Sequence, residues 1–360
     1  MCEDFNTFIA MNDTRYCWEQ DATCERCRME LMENETIIFT LAQTNTMAVS
    51  ALLISVLGSA INVLFLLSLV VNASARSQLT APYIISLLLS DLLSSTIFLP
   101  MLASTYYYRQ TGAFCHIFPL VFFTCLGAFI LSLMMLTVNR TCILLLQERA
   151  EKIMNCWVRK VTIFLCWTVP VFSMLAPLSG SYGKIGLNEY TQTCTVMEDD
   201  LGRNPENILI NLFFFIPCTA MIICNIIMFI RSKLASSGSD RQIVIFITGL
   251  FFIFLFFVVT LIPTLILDHI DDCFKFPGAH ATAYILCWTG SIGNPIMLML
   301  TDKSFRGAIK AFFQELLIQF EQKRRKRDTY SHSGDSKRQT IEPYKAPKDE
   351  VDGASKGVRK

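Results

Sequence analysis

The chain has 360 residues, of which 52% are apolar and 17% charged, against about 45–50% and about 25% in soluble domains. That balance, with the long apolar runs below, excludes a soluble domain. The net charge of +1 says nothing until it is mapped along the chain, and no nucleic-acid partner is expected.

Seven apolar stretches fill residues 46–301: Thr46–Asn72, Leu79–Ser104, Cys115–Leu146, Trp157–Leu178, Asn207–Arg231, Arg241–Asp268 and Gly278–Thr301. A hydrocarbon core of about 30 Å takes about 20 helical residues, and only helices or closed barrels satisfy their own backbone there. The stretches are too long and too continuously apolar for barrel strands of about 10 alternating residues. The expected fold is therefore an all-α membrane protein, a seven-transmembrane helix bundle forming one domain without internal repeats. Residues 1–45 precede it as a tail. Beyond it, Asp302–Phe320 repeats Phe305, Ile309, Phe312, Phe313 and Leu316 at helical spacing and reads as a short interfacial eighth helix over 302–320. Residues 321–360 are polar and expected to be a disordered tail.

Charge sets the expected topology. The first tail and the loops after helices two, four and six carry 7 of the 31 Lys and Arg residues. The rest lie at the opposite ends, so the positive-inside rule puts the N-terminus outside and the C-terminus in the cytoplasm. MCEDFNTFIA lacks a basic start and an apolar core, so no cleavable signal peptide is expected and the first helix acts as signal anchor. Asn12-Asp13-Thr14 and Asn34-Glu35-Thr36 fit the glycosylation pattern on the outer side. Asn72-Ala73-Ser74 falls on the inner side and should stay bare.

The cysteines sort by compartment. Cys125, Cys142, Cys166, Cys218, Cys224 and Cys287 lie within helices, where a thiol is a small apolar residue, and Cys156 is cytoplasmic and reduced. Outside lie Cys2, Cys17, Cys24, Cys27, Cys115, Cys194 and Cys273. A bridge between Cys115 and Cys194 would pin the second outer loop over the bundle mouth. A tail cysteine can pair with Cys273, and Cys24-Glu25-Arg26-Cys27 alone is too little for a metal site.

Arg140 lies 25 residues after Cys115, about 38 Å along a helix axis, so the two sit at opposite surfaces. Read alone, Arg140 is either functional or a snorkelling anchor. Enzymatic function finds no support: there is no nucleophile–base set, the four histidines, His116, His269, His280 and His332, are scattered, and no cofactor is expected.

Over about residues 46–320 the chain resembles the rhodopsin-like, or class A, G-protein-coupled receptors. The resemblance rests on Asn62, on Asp91 in Leu-Leu-Ser-Asp-Leu, on Cys115, and on Asn139-Arg140 in the place of the family's Asp-Arg-Tyr. It continues through Trp167, Cys194, Pro217, Pro263, Asn294-Pro295 and Phe305-Arg306. Within that family the chain looks most like the invertebrate orphan-type receptors of the moody and trapped-in-endoderm group, which also carry Asn-Arg at this site. The resemblance implies a Cys115–Cys194 disulfide, an inner cavity that accepts a heterotrimeric G protein at Asn139-Arg140, and an outer ligand pocket in a plasma-membrane receptor. Phosphorylation at Thr329, Tyr330, Ser331, Ser333, Ser336 or Thr340 would recruit arrestin.

Departures from the family pattern carry their own expectations. Asn139 supplies no charge to hold Arg140, and Ile243 stands where many relatives place an acid, so Arg140 is expected to be less restrained and basal activity raised. Leu261 replaces a tryptophan two residues before Pro263, whereas Phe257 remains; Asn225 and Leu298 replace tyrosines. The activation switch would comprise Phe257, Leu261, Pro263, Asn294 and Pro295, with prolines kinking their helices. Drift with conserved packing is the competing account. Asp91 must face the interior, with Asn62, Ser291 and Asn294 as partners. In relatives this acid binds sodium; here Phe129 stands where a serine helps, and a neutral hydrogen-bond network competes with that reading. No other metal site is expected.

Phe122 in place of an amine-binding aspartate argues against monoamines, and the absence of lysine in 278–301 excludes a retinal Schiff base. Phe122, Phe123, Leu126 and Trp288 would line an apolar pocket for a lipid or hydrophobic small molecule, or would only pack helices. Arg109 would receive an anionic head group. Outer segments hold 17 acidic against 7 basic residues, so Glu198-Asp199-Asp200 and Asp271-Asp272 could instead steer a cationic peptide. The short third inner loop, 232–240, leaves coupling selectivity to helix ends and to Gln147-Glu148-Arg149. Lys323-Arg324-Arg325-Lys326-Arg327 would contact anionic lipid at on the order of 1 kcal/mol per cation. The alternative function is an atypical or scavenger receptor that binds ligand without productive G-protein coupling.

Overall fold

The computed structural model describes residues 39–108, 112–188, 193–234, 254–267 and 276–339, in two units, Met1–Lys310 and Ala311–Lys360. Five helices are each long and apolar enough to cross a membrane: α1 (Leu41–Val71), α2 (Ala81–Thr105), α3 (Ala113–Leu146), α4 (Cys156–Ser179) and α5 (Ile208–Arg231). α6 is described over Phe254–Leu267. α7 consists of Pro277–Trp288 and Gly290–Thr301, bent by 43° at their junction. α8 is Lys303–Gln339. Each expected apolar stretch thus contains one helix. Ile243, residues 235–240 of the short loop, Asn12, Asn34, Cys2, Cys17, Cys24, Cys27, Arg109, Asp271, Asp272, Cys273 and Thr340 lie outside the described residues.

α1 begins five residues before the expected Thr46, and a cap explains why. The Gln43 backbone N–H donates to Thr40 Oγ1 at 3.3 Å, and the Thr40 N–H donates to Gln43 Oε1 at 2.9 Å. This reciprocal pair satisfies two of the donors that a helix start leaves unpaired. α8 departs further from expectation: it runs on past Phe320 to Gln339. The apolar stripe does end near Phe320, but Glu, Gln, Lys and Arg remain good helix formers and no proline intervenes. Lack of a buriable face is therefore not lack of helix, and Lys323–Arg327 lies within α8.

α3 is central, packing against α1's neighbour α2 and against α4 and α5. A Cβ on Gly127 would come within 2.7 Å of the Pro170 ring, so the close α3–α4 approach requires a glycine there. Ser86 ties three helices together: its hydroxyl lies 2.7 Å from Ser132 Oγ and accepts from Trp167 Nε1 at 3.0 Å.

The prolines act through several local solutions. In α2 and α5 π-helical turns, Ser94–Phe98 and Asn211–Phe215, precede Pro100 and Pro217, absorbing the missing donor without a break. In α7 the bend falls beside Gly290, upstream of Pro295, where the proline ring crowds the preceding turn. Pro295 also cannot donate to the Ser291 carbonyl. That carbonyl instead accepts from Asn62 Nδ2 at 2.8 Å, while Asn62 donates to Gly58 O at 2.9 Å.

At the Cys115 end, β1 (Lys184–Asn188) and β2 (Thr193–Met197) form an antiparallel hairpin with Leu187 opposite Cys194. Cys194 is joined to Cys115, with Cα atoms 5.0 Å apart. The hairpin packs on α3, and Cys194 and Val196 are buried.

Candidate functional site

A cavity of about 90 Å³ lies among α2, α3, α6 and α7. Its walls include Phe122, Leu126 and Trp288, three of the residues expected to meet a ligand, and Phe257 and Leu261 of the expected switch. Its polar side is formed by Asp91, Ser94, Thr260, Ser291 and Asn294. Phe123 does not line it: that ring meets Phe122 edge-on at 5.0 Å and packs into the helix core. Aromatic contacts join wall to switch, with Phe98 against Phe122 at 4.8 Å and Phe129 against Phe257 at 5.8 Å. Small-molecule sites usually hold about 300–1,000 Å³. A ligand of ordinary size therefore enters only if the aromatic wall gives way.

The expected polar network is assembled in part. Asp91 is hydrogen-bonded to Asn294, and Asn62 reaches the Ser291 carbonyl rather than its hydroxyl. The Ser291 hydroxyl turns back to Trp288 O at 3.0 Å. Asn62 Oδ1 and Asn294 Oδ1 have no hydrogen-bond partner among the described residues. Asn294 Oδ1 and the Asp91 carboxylate face the same cavity, and such oxygens are the kind a hard cation prefers; Phe129, also in its wall, adds none. Among the described residues no group of His, Cys, Asp and Glu could hold a metal.

At the Arg140 end the expected freedom of Arg140 is corrected. Its guanidinium donates to Asp302 Oδ2 at 2.9 Å, both side chains being largely shielded from solvent. Asp302 is a residue that sequence reasoning passed over as the mere start of α8. The signal was present, since an Asp directly before a helical run is a strong N-cap. Asp302 Oδ1 indeed accepts from the Phe305 N–H at 3.0 Å. Asn139 turns elsewhere, donating to Leu79 O at 3.1 Å. Nearby, Gln147, Glu148 and Arg149 are exposed, and Gln147 holds a φ of 47°, a conformation that favours glycine.

Two acids of the run at the other end, Asp199 and Asp200, are internally paired. Asp199 accepts from the backbone N–H groups of Gly183, Leu201 and Arg203 and pairs with the Arg203 guanidinium at 2.7 Å. Burial alone would raise the Asp199 carboxyl, but Arg203 and these N–H groups outweigh it and hold it well below its usual range. Asp200 pairs with Lys184 at 2.9 Å.

A helical bundle whose central helix carries a loop-pinning disulfide at one end and a half-buried Arg at the other has the layout of a seven-helix receptor. The family model described as 7 transmembrane receptor (rhodopsin family) matches residues 61–298, and the chain belongs to that family. It is thus a class A G-protein-coupled receptor, not an enzyme, in a family of multi-pass plasma-membrane proteins that couple to G proteins. It is 26% identical over 306 residues to Protein trapped in endoderm-1 of Drosophila melanogaster, covering 74% of this chain and 76% of that protein. It is 29% identical over 180 residues to the G-protein coupled receptor moody of the same species, covering 49% of this chain. That match spans about a quarter of moody, 27% of its length. In fold it is similar to squid rhodopsin, with a TM-score of 0.64 at 17% identity over 78% of this chain and 87% of that one.

Proposed function

We propose that this receptor binds an apolar ligand at its Cys115 end and activates a heterotrimeric G protein through Asn139-Arg140. In this reading residues 1–45 and the hairpin are extracellular, 46–301 form the bundle, and α8 and the tail to Lys360 are cytoplasmic. Asn12 and Asn34 would be glycosylated. Arrestin would engage the phosphorylated tail, and Lys323–Arg327 would meet anionic lipid. Asp91 and Asn294 would hold a sodium ion.

The observation that carries the reading is that one cavity touches both Phe122, Leu126 and Trp288 and the switch positions Phe257, Leu261 and Asn294. A ligand that displaces the aromatic wall would press directly on α6 and α7, and interfaces of packed helices answer by rigid-body shifts. A lipid or hydrophobic small molecule suits this lining better than a cationic peptide, because Phe122, Leu126, Phe257, Leu261 and Trp288 are apolar, and Asp199 and Asp200 are paired with Arg203 and Lys184.

One observation favours the scavenger reading. Asn225 bonds back to its own helix, Nδ2 to Met221 O at 2.8 Å, and Leu298 is packed in the apolar core, so neither supplies a hydroxyl to an opened state. The test is a library of lipids and apolar small molecules screened against cells carrying a panel of chimeric G proteins. An agonist whose response is lost in Arg140→Ala, with binding retained, is expected. Ligand uptake without any G-protein response from the wild type would establish the scavenger instead.

A further inference from the structure

We infer that Asp302 is the positioning residue that restrains Arg140 in the resting receptor, taking over from a neighbouring acid that this chain lacks; the inference rests on Arg140 being the coupling residue. Asn139, next to Arg140, is neutral, and its Nδ2 donates to Leu79 O at 3.1 Å. Among the described residues an opposing charge reaches Arg140 from 162 residues along the chain, Asp302 Oδ2 at 2.9 Å.

Asp302 is built to hold that place. Its two carboxylate oxygens divide the work, Oδ1 capping α8 through the Phe305 N–H and Oδ2 facing Arg140. Its own N–H donates to Leu298 O at 2.9 Å. Arg306 closes the other side of the junction by donating to the Met299 and Leu300 carbonyls. An ion pair of which one partner is fixed in advance loses less side-chain freedom on forming. The pair is also shielded, with side-chain exposures of 18% for Arg140 and 7% for Asp302, so salt screens it less than a surface pair.

The consequence is mechanical. A partner that engages Arg140 must first separate it from the α7–α8 junction, so activation moves α3 and the start of α8 apart. α8 is thereby part of the switch, and its first turn reports on the state of Arg140.

Two substitutions separate the charge from the cap. Asp302→Asn keeps a good N-cap and removes the charge, whereas Asp302→Glu keeps the charge and weakens the cap. Ligand-free activation of the G-protein panel at matched surface density should rise several-fold in Asp302→Asn and stay near wild type in Asp302→Glu. A second readout does not depend on coupling: spin labels at Leu146→Cys and Lys310→Cys, in receptor lacking the exposed Cys156 through Cys156→Ser. Their distance distribution should lengthen or broaden in Asp302→Asn only. A rise that follows the cap, or no change in either readout, overturns the inference. Released distances in a receptor that activates no G protein would uphold the restraint and overturn the coupling reading.

Discussion

The two ends of the bundle hold their charges in opposite ways. At the hairpin end a covalent bond joins α3 to β2, and the acids Asp199 and Asp200 are paired within the same loop. At the other end a charge pair joins α3 to the α7–α8 junction, between elements that are remote in sequence. A charge spent locally stiffens one loop and leaves the helices free of it. A charge spent across helices makes their relative position part of its energy, and it can be released by a competing partner. Under the proposed function, ligand entry at the first end and coupling at the second would need different materials: a fixed lid over an apolar wall, and a breakable contact.

The contrast can be broken first at the Phe305 anchor. Phe305 is buried and meets Phe65 edge-on at 5.3 Å, so it fixes the start of α8 on α1. Phe305→Ala should cost about 3–5 kcal/mol and lower the thermal midpoint of the purified receptor, with faster hydrogen exchange in the first turn of α8. Unchanged exchange there would mean that Asp302 and Arg306 hold the junction alone.

Cys194→Ser tests the covalent end. Opening a loop closed across 79 residues should cost about 2–4 kcal/mol. Surface expression and agonist binding should fall while the label distance between positions 146 and 310 stays at its wild-type value. A shift in that distance would show that the ends are coupled at rest.

The smallest effect is expected from protonating Asp199. Its carboxyl lies below its usual range in the folded hairpin, so its contribution is fully present above the unfolded value of about 3.9 and is lost as pH falls from there toward the lower folded value. Hairpin amide exchange, corrected for intrinsic rates, should hold steady from neutral pH to about 4 and rise below it. In Asp199→Asn the step should disappear.

Much of this molecule is local in origin and was legible as such. Apolar length over 46–301 determined the number and places of the helices, because a bilayer allows few alternatives to a self-satisfied backbone. Single residue types at fixed spacing, Cys115, Arg140 and Pro295 among them, determined the family. The Thr40–Gln43 capping box is equally local. Other features depend on which atoms meet across the fold. No spacing rule connects Asp302 to Arg140, turns Asn139 toward Leu79, or consumes Asp199 within its own loop. Composition placed a helix end at Phe320, because it registers the loss of an apolar face but not the persistence of helix-forming residues. Local sequence determines each element through backbone satisfaction and burial. Which charge meets which is decided by tertiary geometry, since an ion pair depends on distance in space and carries no periodic signature along the chain.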